Sequence, residues 1–243
     1  NGNCSVGKGT TCQSPEVCNV NIDGRCGQPQ ITSVESSQTH TCAVASDGTL
    51  YCWGLNDLGQ LGPGVAEPAW PVPHLIANQE NVRSVASGWR HTCVLRVNGE
   101  VACWGHNPHG QLGCRTSGTS DGFKQCLVYP ANSSVAEIAA SGDQSCARLS
   151  NGAVQCWGRD DLGQLGDGMT TDSFGPVTTL NVSHAIALTV GVSDACALMD
   201  DGTVGCWGDN GWGKLGNGSA GGSALLTPVF GIKSTSIHDR AVM

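Results

Sequence analysis

Residues 40–62 read HTCAVASDGTLYCWGLNDLGQLG, and this segment determines the architecture of the chain. It recurs as HTCVLRVNGEVACWGHNPHGQLG at 91–113, QSCARLSNGAVQCWGRDDLGQLG at 144–166 and DACALMDDGTVGCWGDNGWGKLG at 194–216. The tryptophans of successive copies are 51, 53 and 50 residues apart. Self-similarity at a fixed period of this length is the signature of a repeat architecture.

Each copy has the chemistry of a β-hairpin, because a turn dipeptide separates two short strand-like runs. A three-residue loop, Ser46 to Gly48 with Gly48 left-handed, places Cys42 directly opposite Cys52, whereas a two-residue loop leaves Cys52 one position out of register. Directly opposed residues have Cβ atoms about 4.5–5.5 Å apart, close to what a disulfide needs. The spacing therefore predicts three-residue turns and one disulfide in each copy. The turn dipeptides are Asp47-Gly48, Asn98-Gly99, Asn151-Gly152 and Asp201-Gly202.

Cysteine usage indicates an oxidising compartment. The chain has 14 cysteines, and none lies in the CxxC spacing of structural zinc sites. Eight of them form four couples of identical separation: Cys42/Cys52, Cys93/Cys103, Cys146/Cys156 and Cys196/Cys206. We expect Cys114 and Cys126 to close an inserted surface loop in the second copy. Residues 1–30 are predicted to form a separate segment held by two disulfides, in one of three pairings, among Cys4, Cys12, Cys18 and Cys26.

Four glycosylation sequons accompany the cysteines and agree with secretion from a eukaryotic cell. They are centred on Asn3, Asn132, Asn181 and Asn217. No signal peptide is visible, so we expect a mature or trimmed product. The chain of 243 residues has a net charge of −8 and no run of 18 apolar residues. It therefore lacks the basic footprint of a duplex nucleic-acid binder and any segment expected to span a membrane.

Four short strands per fifty residues predict an all-β fold of β-propeller blades. The pattern DGxxxCWGxNxxGQLG, followed by an apolar Pro-Val stretch, resembles the regulator of chromosome condensation repeat over about residues 31–243. The resemblance implies a propeller, seven-bladed in typical members. Members in which cysteine flanks the tryptophan resemble secreted or cell-surface versions. Nucleotide exchange on a small nuclear GTPase, the founding activity, does not fit an oxidised, acidic chain with four repeats.

The blades are predicted at about residues 31–78, 79–131, 132–182 and 183–231, with an extra strand in 232–243. Residues 237–242 of this tail match the first strand of a fifth blade. Three alternatives follow. The four blades close into a ring, they form an open arc that a second copy completes or that stacks into a larger assembly, or the chain is a fragment of a longer protein.

Residues that depart from the repeat are the candidate contacts, since a scaffold needs its shared positions and partners read the unshared ones. In the turn before the first cysteine of the second copy, Trp89, Arg90 and His91 combine an aromatic ring with a fork-shaped donor, as at interface hot spots or sugar-stacking sites. Trp70 and Trp212 are further non-repeat tryptophans. For all three non-repeat tryptophans, packing is the alternative interpretation. The repeated tryptophans are predicted to lie in the core.

Other polar residues give no chemical signature. His106 and His109 form an HxxH on a proline-containing segment without a helix to bring them together. Asp160, Asp161 and Asp167 lack an EF-hand spacing and are interpreted as solvated loop residues. The Gly-Gln-Leu-Gly runs are interpreted as turns. We therefore expect no catalytic residues, no cofactor and no metal.

Three functional hypotheses follow. The first is a secreted, non-enzymatic binding or assembly module whose variable loops contact a protein partner. The second is a lectin-like carbohydrate binder that stacks sugars on tryptophan. The third is a self-assembling subunit of an extracellular filament or coat.

Overall fold

The computed structural model describes residues 30–115 and 125–232 in full. It also describes the backbone of four short strands: β1 (Cys4–Val6), β2 (Thr10–Cys12), β3 (Asn19–Val20) and β4 (Cys26–Gly27). β1 pairs antiparallel with β2, and β3 pairs with β4. Three predictions lie outside the described part of the structure: the N-terminal disulfides, the sequon at Asn3 and the strand expected at 237–242.

Four antiparallel four-stranded sheets follow, each with its strands in chain order. Sheet 1 contains β5 (Ile31–Ser36), β6 (His40–Ala45), β7 (Leu50–Leu55) and β8 (Ala69–Leu75). Sheet 2 contains β9 (Val82–Ser87), β10 (His91–Arg96), β11 (Val101–Gly105) and β12 (Cys126–Tyr129). Sheet 3 contains β13 (Val135–Ser141), β14 (Gln144–Leu149), β15 (Val154–Gly158) and β16 (Ser173–Thr178). Sheet 4 contains β17 (Ala185–Val190), β18 (Asp194–Met199), β19 (Val204–Gly208) and β20 (Ser223–Pro228).

The hairpin of each repeat has the predicted register. Cys42 lies opposite Cys52, with 4.1 Å between their Cα atoms. The Ala45 amide donates to the Thr49 carbonyl over 2.9 Å, and Gly48 takes φ +81°, which confirms the three-residue turn. The described part of the chain contains five disulfides: Cys42–Cys52, Cys93–Cys103, Cys146–Cys156, Cys196–Cys206 and Cys114–Cys126.

The sheets stack in series through their first strands, with β5 against β9, β9 against β13 and β13 against β17. Three hydrophobic clusters fill the three junctions between consecutive sheets. In each junction the disulfide of one sheet faces the tryptophan of the next, as Cys42 and Cys52 do with Trp104. The all-β, propeller-type fold is confirmed.

A tryptophan links each sheet to the one before it. The indole N–H groups of Trp104, Trp157 and Trp207 donate to the main-chain carbonyls of Gln60, Gln111 and Gln164 over 3.1, 2.9 and 3.0 Å. These three side chains are fully buried, as the repeat predicts. Trp53 is only half-buried, and no described residue accepts a hydrogen bond from its indole. The Gly-Gln-Leu-Gly runs thus supply the acceptor that joins one blade to the next.

Among the described residues, no strand of sheet 1 packs against a strand of sheet 4 in the way that consecutive sheets pack. The four blades therefore form an open arc. Sheet 1 exposes the large apolar side chains of Ile31, Val34, Val72 and Leu75. The only helical element in the described ranges is a 3-10 turn at Gly211–Gly213, and no helix there is long and apolar enough to cross a bilayer.

Candidate partner-binding face

Four turns, each joining the first strand of a sheet to the second, lie side by side at one end of the blades. The Trp89 amide donates to the Gly142 carbonyl over 2.9 Å, and the Thr39 hydroxyl donates to the Trp89 carbonyl. These contacts hold the turns of sheets 1, 2 and 3 in a fixed order. We call this surface the turn face; it comprises residues 37–39, 88–90, 142–143 and 191–193.

Histidines anchor the turns of the first two sheets. His40 contacts the Ser37 hydroxyl through Nδ1 at 2.9 Å and the Thr92 hydroxyl of the next sheet through Nε2 at 2.7 Å. His91 likewise contacts the Ser145 hydroxyl of sheet 3 through Nε2 at 2.8 Å. Burial lowers the pKa of His40 to about 4 and that of His91 to about 3, so both rings are neutral at physiological pH.

The prediction of His91 as a partner contact is wrong, because its side chain is fully buried. It begins β10 and belongs to the junction between sheets 2 and 3. Trp89 and Arg90, directly before it, are half-buried on the turn face. The Arg90 guanidinium lies 3.0 Å from the Asp57 carboxylate, and both side chains are about 40% exposed. An ion pair this exposed contributes little to stability, so a partner can compete for Arg90 at small cost.

A cavity of about 350 Å³ opens where the first strands and their turns converge. Residues of all four sheets line it, among them Glu35, Ser87, Trp89, Ser141, Gly142 and Val190. The Ser87 side chain is almost completely buried, and its hydroxyl has no hydrogen-bond partner among the described residues. Partial burial raises the pKa of the Glu35 carboxyl. We call this cavity the axial pocket.

Trp212 is fully exposed on a strained backbone, with φ +73°, an outlier for a bulky residue. In the other three loops the glutamine two positions later accepts the equivalent amide, as Gln60 Oε1 does from Leu58 at 2.9 Å. Lys214 replaces that glutamine and cannot accept. Its ammonium instead lies 2.8 Å from Asp194 and 3.0 Å from Asp209. The substitution therefore frees the amide of residue 212, whose indole is fully exposed.

The remaining aromatic and histidine candidates lie apart from the axial pocket. Trp70 lies on β8 at the outer edge of sheet 1, stacks on His74 with ring centroids 3.8 Å apart and packs against the first hydrophobic cluster. This placement favours the packing interpretation. His109 contacts the Asp172 carboxylate at 2.7 Å. No cluster of three or more potential metal ligands occurs in residues 30–115 and 125–232.

The interpretation of Asp160 as a solvated loop residue is wrong, because its side chain is fully buried. It takes the position that Asn56 has in sheet 1. Asn56 Oδ1 accepts from the Leu61 amide at 2.9 Å, and Asp160 Oδ1 accepts from the Leu165 amide at 2.8 Å. Asn56 Nδ2 donates to two main-chain carbonyls at 3.0 and 2.8 Å, whereas Asp160 Oδ2 has no partner among the described residues.

The environment of Asp160 favours the protonated acid. Burial raises its pKa to about 7, although the backbone hydrogen bond from Leu165 and the nearby backbone of Thr171 act in the opposite direction. A protonated Oδ2 can supply the donor that the amide provides in sheets 1 and 4. The signal was present in the sequence, since Asn56, Asn107, Asp160 and Asn210 occupy one position of the repeat.

Two of the sequons lie at the opposite end of the blades from the turn face. Asn132 is exposed, and its amide donates to the carbonyl of Asn98 in a hairpin turn. Asn181 is exposed beside a second cavity of about 300 Å³ that includes Asp201 of another hairpin turn. Asn217 is half-buried, and its Oδ1 accepts from Asn210 at 3.2 Å.

Four-stranded antiparallel sheets, stacked through their first strands and joined by indole-to-carbonyl hydrogen bonds, define a repeat protein of the β-propeller class. A sequence model described as the regulator of chromosome condensation (RCC1) repeat matches residues 31–60, 82–111 and 135–164, and a second model of this repeat matches 47–95. The repeats at residues 31–111 and 135–164 belong to this family.

Two proteins that contain similar sequences extend the comparison beyond the repeat models. The ultraviolet-B receptor UVR8 of Arabidopsis thaliana is 30% identical over 152 residues, which are 60% of this chain and 33% of the receptor. The probable E3 ubiquitin-protein ligase HERC3 of Homo sapiens is 32% identical over 158 residues, 64% of this chain and 15% of the ligase. The chain therefore spans a third or less of these relatives.

Solved structures agree on the fold. Yeast RCC1 (Prp20), in its complex with Kap60, superposes with a TM-score of 0.74 at 22% identity, covering 86% of this chain and 50% of that one. Human WBSCR16 gives a TM-score of 0.73 at 22% identity, covering 83% and 53%. The described blades correspond to about half of each propeller.

Proposed function

We propose that this chain is a secreted, non-enzymatic binding module that presents its turn face to a protein partner. One observation carries the proposal. Residues shared by the repeats go into the blade junctions, whereas the unshared residues at Gln38, Trp89, Gly142 and Val192 occupy equivalent places in four adjacent turns. A rigid scaffold that displays different side chains at equivalent positions is suited to recognition.

The chemistry of this surface suits a protein interface. Tryptophan and arginine dominate interface hot spots, and Trp89 and Arg90 stand together on the second turn. Trp212 offers a further, fully exposed indole, on the loop whose Asp209 amide donates to Ser193 of the fourth turn. The net charge of −8 argues against a nucleic-acid partner.

The proposed secretion accounts for two features. Five disulfides in the described chain suit an oxidising compartment. Glycans on Asn132 and Asn181 would lie at the hairpin-turn end of the blades and would leave the turn face open to a partner.

Related propellers with protein partners support the proposal. Yeast RCC1 (Prp20) has a solved structure bound to Kap60, and another Prp20p structure is described with its binding properties to Gsp1p and histones. HERC3 is named as a ligase, but the alignment covers 15% of it and only the repeat region of this chain. The similarity therefore supports binding without transferring the ligase activity.

The test uses the disulfide-intact chain as bait in the extracellular fraction of its source organism, followed by direct binding measurements on each protein retained. We expect a partner whose affinity falls at least tenfold with Trp89→Ala, an effect typical of a hot-spot residue. Asp201→Ala, on the opposite hairpin-turn end, is the matched control and should bind normally. Equal retention by both variants would place the interface elsewhere.

A lectin-like function is the second candidate, since Trp89 lines a cavity with several serine hydroxyls. A glycan array distinguishes the two, because sugar binding that Trp89→Ala abolishes, without a protein ligand, would select the lectin. The third hypothesis, a filament or coat subunit, predicts polymers whose light scattering grows with protein concentration; the exposed apolar residues of sheet 1 motivate it.

A further inference from the structure

The axial pocket departs from the repeat at one decisive position. In every sheet, one residue of the first strand lies opposite the first cysteine of the disulfide, so these four residues occupy equivalent positions. In sheets 2, 3 and 4 the residue is Ala86, Ala139 and Thr189, respectively. In sheet 1 this position is Glu35, opposite Cys42. The blade scaffold therefore does not require a carboxylate here.

No described cation neutralises Glu35. It makes no ion pair or side-chain hydrogen bond within residues 30–115 and 125–232, and its pKa responds to burial alone rather than to a neighbouring charge. Arg90, the cation of the second turn, is paired with Asp57 at 3.0 Å. Among the described residues, the pocket therefore carries one negative charge without a neutralising cation.

Ser87 provides an independent indication of a ligand. Its side chain is 7% exposed and lines the pocket, and its Oγ has no partner in the described structure. A buried polar group without a hydrogen bond costs free energy, which a ligand with a complementary group removes. Because a hydroxyl oxygen accepts as well as donates, a cationic donor can satisfy it.

We propose that the axial pocket is a socket for a lysine or arginine side chain of the protein partner, with Glu35 and Ser87 receiving its charged head. This inference rests on the proposed protein-binding function. The cavity of about 350 Å³ falls within the range of small-ligand sites. Trp89 in its wall offers an indole surface to the apolar stem and to the cation itself.

The test is a titration of the full, disulfide-intact chain with Nα-acetyl-lysine N-methylamide and, separately, with its arginine counterpart. Binding is monitored through the ¹H–¹⁵N NMR signals of the protein. We expect shifts of the Ser87, Trp89 and Gly142 signals at millimolar probe. The Nε-acetylated lysine probe has a similar stem without the charge and should leave these signals unmoved. Equal shifts with the neutral probe, or none with either cation, would overturn the proposal.

Variants locate the charge. Glu35→Gln should weaken binding of the cationic probes about tenfold, as expected for loss of a charge-assisted hydrogen bond. Glu80→Gln removes the same charge from an exposed loop at the hairpin-turn end and should have no effect. Equal weakening by both variants would mean a diffuse effect of net charge and would contradict a specific socket. Unchanged chemical shifts away from the pocket verify that each variant is folded.

The two proposals fail in distinguishable ways. A partner lost with Trp89→Ala, combined with no response to the cationic probes, would remove the socket and leave the turn face as the binding surface. Binding of the probes, together with a partner that does not depend on Trp89, would instead remove the turn face as the protein interface.

Discussion

Replacing Asp160 by asparagine should stabilise the protein at neutral and alkaline pH. The change restores the amide that Asn56 and Asn210 have at equivalent positions, where Nδ2 donates to two main-chain carbonyls. In the present chain Oδ2 of Asp160 is buried without a partner. Ionising the buried carboxylate costs more than a neutral unsatisfied group. The rise of its pKa from 3.8 to about 7 corresponds to roughly 4 kcal/mol at about 1.4 kcal/mol per pH unit.

The effect should depend on pH in a defined direction. The folded-state pKa of Asp160 is raised to about 7, whereas the unfolded value is 3.8, so the folded protein holds the proton more tightly. The stability contributed by the protonated acid is complete below pH 3.8 and is lost as the pH rises through 7. Asp160→Asn has no proton to lose, and its advantage should grow over this interval.

Thermal unfolding followed by circular dichroism at pH 4, 6 and 8 measures the difference. Roughly 4 kcal/mol corresponds to a rise of about 8–16 °C in Tm at pH 8 for a chain of this size. Most of this rise should vanish near pH 4. Asn56→Asp is the matched control and should introduce the opposite dependence in sheet 1. A Tm difference between variant and parent that is the same at every pH, or that is absent at pH 8, would refute the assignment of a buried, protonated acid.

Three further results follow from the described contacts. His91→Gln installs the residue type found at the equivalent position of sheet 3, and its free energy of unfolding should gain about 2 kcal/mol relative to the parent between pH 7 and 4.5. The reason is that burial lowers the pKa of His91 to about 3, so the unfolded chain takes up the proton first. Parallel pH profiles of Tm for the two proteins would contradict this. Lys214→Gln should restore the amide acceptor and reduce acrylamide quenching of Trp212, and unchanged quenching would show that another feature holds the indole outward. Gly54→Ala should destabilise the fold by about 2 kcal/mol more than Gly64→Ala, since both have positive φ but only the first would place a Cβ 2.6 Å from a main-chain carbonyl oxygen; equal losses of Tm would show that this contact relaxes.

Local geometry was accessible from sequence because it depends on residues close together in the chain. The separation of Cys42 and Cys52, combined with a turn at Gly48, permits only one hairpin register that opposes the two cysteines. The period of the tryptophans then implies equivalent blades, which is sufficient to predict a propeller-type fold. The hairpin disulfides follow from the same register.

Features that depend on a neighbouring blade were not accessible in this way. The nearest polar partner of the His91 ring is Ser145, 54 residues later, so its place in a variable turn suggested exposure although the next blade covers it. Trp212 protrudes because of Lys214, and the loss of an acceptor becomes evident only once the role of Gln60 is seen. Asp160 could have been recognised by aligning the copies. The axial pocket needs residues from all four blades and has no counterpart in one repeat.

The indole hydrogen bond between successive blades has a consequence for how such chains diversify. Its acceptor is a main-chain carbonyl, as at Gln60, Gln111 and Gln164, and every amino acid possesses one. A mutation at the acceptor residue therefore alters the loop it stabilises while leaving the seam chemically intact. Duplicating, exchanging or remodelling a unit requires no matching change in its neighbour, so recognition surfaces can drift quickly on a framework that stays compatible with itself.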